Sequence, residues 1–255
     1  MTTAHQPASA ESRQPDQRDE DRPTVLCIPY AGGAARVFAD LARALPQAVT
    51  VPLELAGRGM RMREPASSDL GTVVEDLARQ TALHTSGRYL LVGHSMGAAL
   101  AFEVARYWTG WGRPPAAVVL AGRNGPGAGS KFPPIHGLET SAFLAAIRRL
   151  GGTPPQLFEN PELIRLFTPL LRSDFTLSET YRPLSGAELT CPVWVCAGAD
   201  DPMADRAGLL DWDQYTTGEL TCELLPGAHF ILDDPAFHQF VARALSECAQ
   251  PARIA

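Results

Sequence analysis

The segment Val92-Gly93-His94-Ser95-Met96-Gly97-Ala98 holds a Gly-x-Ser-x-Gly turn between the apolar run Tyr89-Leu90-Leu91 and a helix-like stretch from Ala99 to Arg106. Strand, tight turn and helix in that order form a nucleophile elbow, which strains the serine backbone and presents its hydroxyl. Glycine at Gly93 and Gly97 leaves room for the strand and the helix to close on the turn. Ser95 is therefore expected to point its hydroxyl into open space at a sheet's edge. A serine capping a helix after a Gly-rich loop is the plainer reading. The strand on one side and the helix on the other favour the nucleophile.

A serine hydroxyl is a weak nucleophile near neutral pH and needs a histidine held by a carboxylate. The chain has six histidines. His5 lies in a polar N-terminal stretch, His84 in a polar segment before a strand, His94 inside the elbow, and His136 and His238 in helical or inserted surroundings. His229 differs, because Leu225-Pro226-Gly227-Ala228-His229-Phe230 puts it on a loop directly after the last strand-like run. The acid is sought between serine and histidine, after the preceding strand. Trp194-Val195-Cys196-Ala197-Gly198-Ala199-Asp200-Asp201-Pro202 offers two, and only one of them turns inward at a strand end. Gly198-x-x-Asp201 with Pro202 favours Asp201, with Asp200 as the alternative. Asp174, Asp233 and Asp234 read as solvated or capping groups.

Acyl transfer also needs two donors for a tetrahedral oxyanion. The backbone N–H of Met96, next to the nucleophile, is one. The loop Pro29-Tyr30-Ala31-Gly32-Gly33 supplies the other, from Ala31 or, alternatively, Tyr30. Tyr30, His94 and Phe230 are the candidates for touching substrate. Gly32-Gly33 does not fit Gly-x-Gly-x-x-Gly and the chain has no Walker A lysine, so nucleotide phosphate binding is not expected. No cofactor or metal is called for by this set.

These groups need a scaffold that brings strand ends together. Candidate strands are Thr24–Ile28, Val49–Leu53, Tyr89–Val92, Ala117–Leu120, Val193–Cys196 and Thr221–Leu225. Most are continuous apolar runs, as in strands buried on both faces of a parallel sheet. Helical patterns alternate with them: Phe38-Leu41-Leu45, Val73-Val74-Leu77-Leu83, the stretch after Ser95, and Phe237-Phe240-Val241-Leu245. The alternation predicts an α/β fold with a doubly wound, mostly parallel sheet whose ligands gather at the carboxyl ends of the strands. It fails between Gly122 and Pro192. There a Gly/Pro loop precedes helical patterns at Phe143-Ile147-Leu150, Leu163-Ile164-Phe167-Leu170-Leu171 and Phe175-Leu177-Tyr181. Such an insertion, at about 123–187, is expected to be a helical lid over the strand ends.

A chain of 255 residues with 45% apolar and 20% charged residues suits one globular domain, here 23–255. Residues 1–22 are polar and are expected to be a disordered tail. A net charge of −6 without a basic stripe argues against nucleic acid. The five cysteines, Cys27, Cys191, Cys196, Cys222 and Cys248, read as small hydrophobes in a reducing compartment, Cys191 and Cys196 facing opposite sides. Nothing has the length of a signal peptide or a membrane span, so the expected location is the cytoplasm.

Six segments in order resemble one family: Cys27-Ile28-Pro29-Tyr30-Ala31-Gly32-Gly33; Leu55-Ala56-Gly57-Arg58-Gly59 with Arg61 and Glu64-Pro65; Gly93-His94-Ser95-Met96-Gly97; Leu150-Gly151-Gly152-Thr153-Pro154; Arg172-Ser173-Asp174-Phe175 with Glu179 and Tyr181; and Pro226-Gly227-Ala228-His229-Phe230. From about Pro23 to Leu245 the chain is similar to the type II thioesterases, discrete α/β-hydrolases that accompany polyketide synthases and nonribosomal peptide synthetases. It departs from the pattern at Ala56, Ala204 and Ala228, where proline, valine and glycine are usual. The resemblance implies a Ser95-Asp201-His229 triad that hydrolyses acyl groups from the phosphopantetheine arm of an acyl or peptidyl carrier protein, without cofactor, in a monomer. Because the chain is itself acidic, an acidic carrier must meet a local patch. Arg58, Arg61, Arg63, Arg123 and Lys131 are expected near the tunnel mouth.

Overall fold

The computed structural model describes residues 22–153 and 155–247. The expected tail at 1–22, Arg22 apart, and Cys248 fall outside these residues. In chain order the elements are β1 (Thr24–Ile28), α1 (Ala39–Ala44), β2 (Val49–Pro52), α2 (Leu70–Thr81), β3 (Tyr89–His94), α3 (Met96–Gly110) and β4 (Ala117–Ala121). After these come α4 (Thr140–Leu150), α5 (Pro155–Glu159), α6 (Pro161–Glu179), β5 (Val193–Gly198), α7 (Arg206–Leu210), β6 (Leu220–Leu225) and α8 (Pro235–Glu247). The strands form one sheet in the order β2-β1-β3-β4-β5-β6, and every neighbouring pair is parallel.

Period-two side-chain alternation explains why continuous apolar runs suit these strands. Leu26, Ile28, Leu91, Val118, Leu120 and Val195 pack on one face with residues of α2 and α3 such as Leu77 and Leu100. Val25, Cys27, Leu90, Val92, Val119 and Cys196 pack on the other with Phe38 and Leu41 and with Phe237 and Phe240 of α8. Cys191 and Cys196 lie in the opposite cores, and the four described cysteines are free thiols. Every residue of β3, β4 and β5 is buried, whereas every residue of the edge strand β2 is half-buried. The chain winds outward from β1 to β2 and then returns to β3. That reversal opens a crevice at the carboxyl ends of β1 and β3, where doubly wound sheets bind ligands.

The insertion between β4 and β5 carries α4, α5 and α6. Where two helical patterns are expected at 163–171 and 175–181, α6 runs unbroken for 19 residues with Pro169 inside it. An internal proline removes one backbone hydrogen bond and costs about 3 kcal/mol. Asn160 offsets part of this by capping the N–H groups of Glu162 and Leu163 at 2.9 and 3.2 Å, with Pro161 preset at the first turn. Burial of Leu170, Leu171 and Leu177 beyond the proline supplies the rest. Phe143 and Ile147 of α4 pack with Leu171 in a small separate core. Glu179 accepts hydrogen bonds from the N–H groups of Ile135 and His136 and pairs with His136 Nδ1 at 2.6 Å, fastening the loop before α4. No described helix is long and apolar enough to cross a membrane.

Candidate active site

β3 delivers Ser95 directly into α3. Ser95 has φ 56° and ψ −115°, and it is the one non-glycine described residue with positive φ. Such a conformation costs on the order of 1–3 kcal/mol and persists only where neighbours impose it. The imposition is visible. A Cβ on Gly93 would sit 2.0 Å from the Gly97 carbonyl oxygen, and one on Gly97 would sit 2.1 Å from the carbonyl oxygen of Ile28. The Ser95 N–H also donates to the Ala121 carbonyl at 2.8 Å, locking the turn to the end of β4. The edge to which Ser95 is brought is the sheet's carboxyl rim, on an interior strand. As the first residue of α3, Met96 has an N–H without an intrahelical acceptor.

The other groups come from the ends of β5 and β6. Asp201 is buried and its Oδ2 meets His229 Nδ1 at 2.9 Å. Its Oδ1 accepts from the N–H of Met203 at 2.7 Å and of Ala204 at 3.3 Å. Asp200 is exposed, so of the two adjacent candidates the inward one is Asp201. The close approach of the two loops requires Gly198, where a Cβ would lie 2.0 Å from the Ala228 carbonyl oxygen. Ala204 is buried against the carboxylate it donates to, and Ala228 is exposed.

Ser95, His229, Tyr30, Ala31 and Phe230 share the wall of one cavity of about 530 Å³. The insertion supplies the opposite wall, including Ile147, Phe175 and Tyr181. Tyr30 and Phe230 meet edge to face with ring centres 5.0 Å apart, and Gly152 of the insertion lies against Phe230. The sequence reading names neither Ile147 nor Phe175 as site residues, because nothing local ties a residue of the insertion to a strand end.

His94 sits elsewhere than at this wall. It is fully buried, and its Nε2–H donates to the His229 backbone carbonyl at 2.8 Å while Nδ1 has no partner. Facing a carbonyl, Nε2 must carry the proton. Burial, reinforced by His229, pushes its pKa down to about 3. An unfolded histidine binds its proton near pH 6.5, so on acidification the unfolded state protonates first and stability is lost as pH falls below that value. The slope from this group approaches about 1.4 kcal/mol per pH unit. Chemical denaturation between pH 4 and 7 should show a His94→Gln variant with a shallower pH dependence than the wild type. Equal slopes would mean that His94 titrates normally in the fold.

Two expectations about charge are corrected. Asp174 is neither solvated nor a cap: it is buried on α6 and forms a bidentate ion pair with Arg58, both distances 2.7 Å. Its spacing with Leu170 and Leu177 in the apolar stripe of α6 is the sequence signal for this burial. Arg58 is 3% exposed and cannot meet a partner protein. Arg123 lines the cavity and donates to Ser178, Arg61 is held by Asp76 and Glu64, and Lys131 pairs with Asp205. The exposed cations on the cavity wall are Arg149 and Arg182. Asp234, as expected, caps α8, accepting from the Ala236 N–H at 2.7 Å.

A strained serine and a histidine paired with a buried carboxylate on the wall of one cavity suit nucleophilic acyl transfer. Comparison with known proteins agrees. The thioesterase domain model matches residues 23–245. Thioesterase PikA5 of Streptomyces venezuelae is 37% identical over 82% of this chain and 75% of that protein. Linear gramicidin dehydrogenase LgrE of Brevibacillus parabrevis is 32% identical over 91% of this chain and 90% of that one. The crystal structure of ClbQ from the colibactin NRPS/PKS pathway superposes with a TM-score of 0.81 at 34% identity, covering 89% of this chain and 98% of that one. The chain therefore belongs to the thioesterase family, with the α/β-hydrolase fold and its relatives among the type II thioesterases of nonribosomal peptide and polyketide pathways.

Proposed function

We propose that this enzyme hydrolyses acyl thioesters from the phosphopantetheine arm of acyl or peptidyl carrier proteins, removing aberrant or stalled units. The observation that carries the reading is the Asp201-His229 pair opening onto the same cavity as strained Ser95. His229 takes the Ser95 proton as Oγ attacks the thioester carbonyl, and the tetrahedral oxyanion is held by the N–H groups of Met96 and Ala31. Collapse breaks the C–S bond, with the proton passing from His229 to the departing thiol. Water, deprotonated by His229, then cleaves the acyl-enzyme and frees the acid and Ser95. Asp201 stays ionised throughout and holds the imidazole with its proton on Nδ1. The helices α4 to α6 act as the lid, and the apolar wall they provide receives the acyl chain. Free thiols at Cys27, Cys191, Cys196 and Cys222 fit a reducing compartment, the cytoplasm.

A hydride-transfer reading, prompted by the name of one relative, is disfavoured by the loop after β1. It lacks Gly-x-Gly-x-x-Gly, and its Gly32 N–H is already bound by Asp174 and not available to a pyrophosphate. A general carboxylesterase or a medium-chain fatty acyl thioesterase shares the triad, and a carrier-binding scaffold shares the surface. Single-turnover release from a panel of acyl-phosphopantetheinyl carriers, compared with oxygen esters of the same acids, separates them. Release from carriers by the wild type and not by Ser95→Ala supports an editing thioesterase. Ester cleavage without carrier hydrolysis supports the esterase, and full biological output from Ser95→Ala the scaffold.

Carrier docking should use Arg149 and Arg182, the exposed cations at the cavity. Reversing both to Glu is expected to raise KM for carrier-bound thioesters about tenfold, leaving short acyl-thiol mimics unchanged. Equal changes on both substrates would remove these arginines from the docking surface.

A further inference from the structure

The loop that carries Ala31 is not held by its own turn alone. The Gly33 N–H closes the turn on the Tyr30 carbonyl at 2.8 Å, but the preceding peptide is held from across the molecule. Asp174 Oδ2, 142 positions further along the chain on α6, accepts the Gly32 N–H at 2.7 Å. The same carboxylate takes both terminal nitrogens of Arg58, and Arg58 Nη1 also donates to the Gly33 carbonyl at 3.2 Å. Both side chains of the pair are about 95% buried, with relative exposures of 4% and 5%. Gly32 adopts φ +78°, and a Cβ there would meet Leu171 of α6 at 2.6 Å, so helix and loop are in direct contact as well.

We propose that Arg58 and Asp174 are positioning residues for the oxyanion loop, through which α6 sets how well the Ala31 N–H stabilises the oxyanion. The inference rests on the reading of Ala31 given above. By fixing the Gly32 peptide from one side and the Gly33 carbonyl from the other, the pair leaves the loop one orientation. A bare carboxylate one residue from the oxyanion donor would repel the negative charge that develops on the substrate. The bidentate guanidinium cancels that charge while leaving the hydrogen bond to Gly32 intact. Breaking only one partner would leave a buried unpaired charge and threaten the fold, whereas replacing both by apolar groups of similar volume is often tolerated.

The test therefore uses the double variant Arg58→Met/Asp174→Leu beside the neutral amide pair Arg58→Gln/Asp174→Asn, which retains an acceptor for Gly32. Reaction with a fluorophosphonate reports the site directly, because attack by Ser95 expels fluoride and builds negative charge on the phosphoryl oxygen. In the double variant, the labelling rate and kcat for a short acyl-thiol substrate are expected to fall roughly 10²-fold. KM should stay within about twofold and the titratable Ser95 should remain fully present, which a merely misfolded fraction would not give. The amide pair should fall between the double variant and the wild type. A folded double variant with labelling and kcat within threefold of wild type would overturn the proposal. If the wild type itself were not labelled at Ser95, the reading of the site would fall, and this inference with it.

Discussion

Replacing Ser95 by alanine should lower single-turnover thioester release by about 10⁴- to 10⁶-fold, the scale on which nucleophile removal acts where a triad works as a unit. Only the backbone donors and the cavity then remain to help water. The same position makes a second, independent forecast. At φ 56° and ψ −115° the backbone strain is unrelated to the hydroxyl, so Ser95→Ala should unfold at nearly the wild-type temperature. Ser95→Gly relieves the strain and loses some entropy on folding, for a net gain of about 1 kcal/mol, or about 2–4 °C in Tm. Calorimetry beside the activity assay decides both points. An inactive and stabilised Ser95→Gly would show strain maintained for function. A destabilised one would mean that the elbow's hydrogen bonds outweigh its torsional cost.

Asp201→Asn should cost about 10³- to 10⁴-fold in kcat/KM while the fold is kept. The surroundings fix the outcome more tightly than the substitution alone. Because the N–H groups of Met203 and Ala204 point at Oδ1, an asparagine must place its carbonyl oxygen there. Its NH₂ then faces His229 Nδ1, and the imidazole is forced into the tautomer with its proton on Nε2, unable to accept one from Ser95. Exposed Asp200 provides the internal comparison, since Asp200→Asn should change kcat/KM less than about twofold. Reversed effects would transfer the acid role to Asp200.

Local chemistry is legible in the sequence wherever neighbours in sequence are neighbours in space. The strand, turn and helix around Ser95 lie within about twenty residues, and the glycines there have one geometric reason to exist. Strand positions were equally legible, because burial on both faces demands unbroken apolar runs such as Tyr89–Val92 and Val193–Cys196. The patterns at 163–171 and 175–181 gave no sign that they join into the single helix α6, which tolerates Pro169 inside it because a capped start and buried leucines outweigh its cost.

What the sequence determined by itself is the elbow at Ser95, the doubly wound alternation, the family, and the order of serine, acid and histidine. Each depends on local pattern or on chain order. Tertiary structure alone decided that His94 supports the histidine backbone from a fully buried position and that Arg58 and Asp174 leave the surface to brace the loop at Ala31. Charged and polar side chains carry no sequence mark of their partners. A carboxylate on a helix becomes solvated or buried according to what a strand end far away in the chain presents to it, and only folding brings that partner into reach.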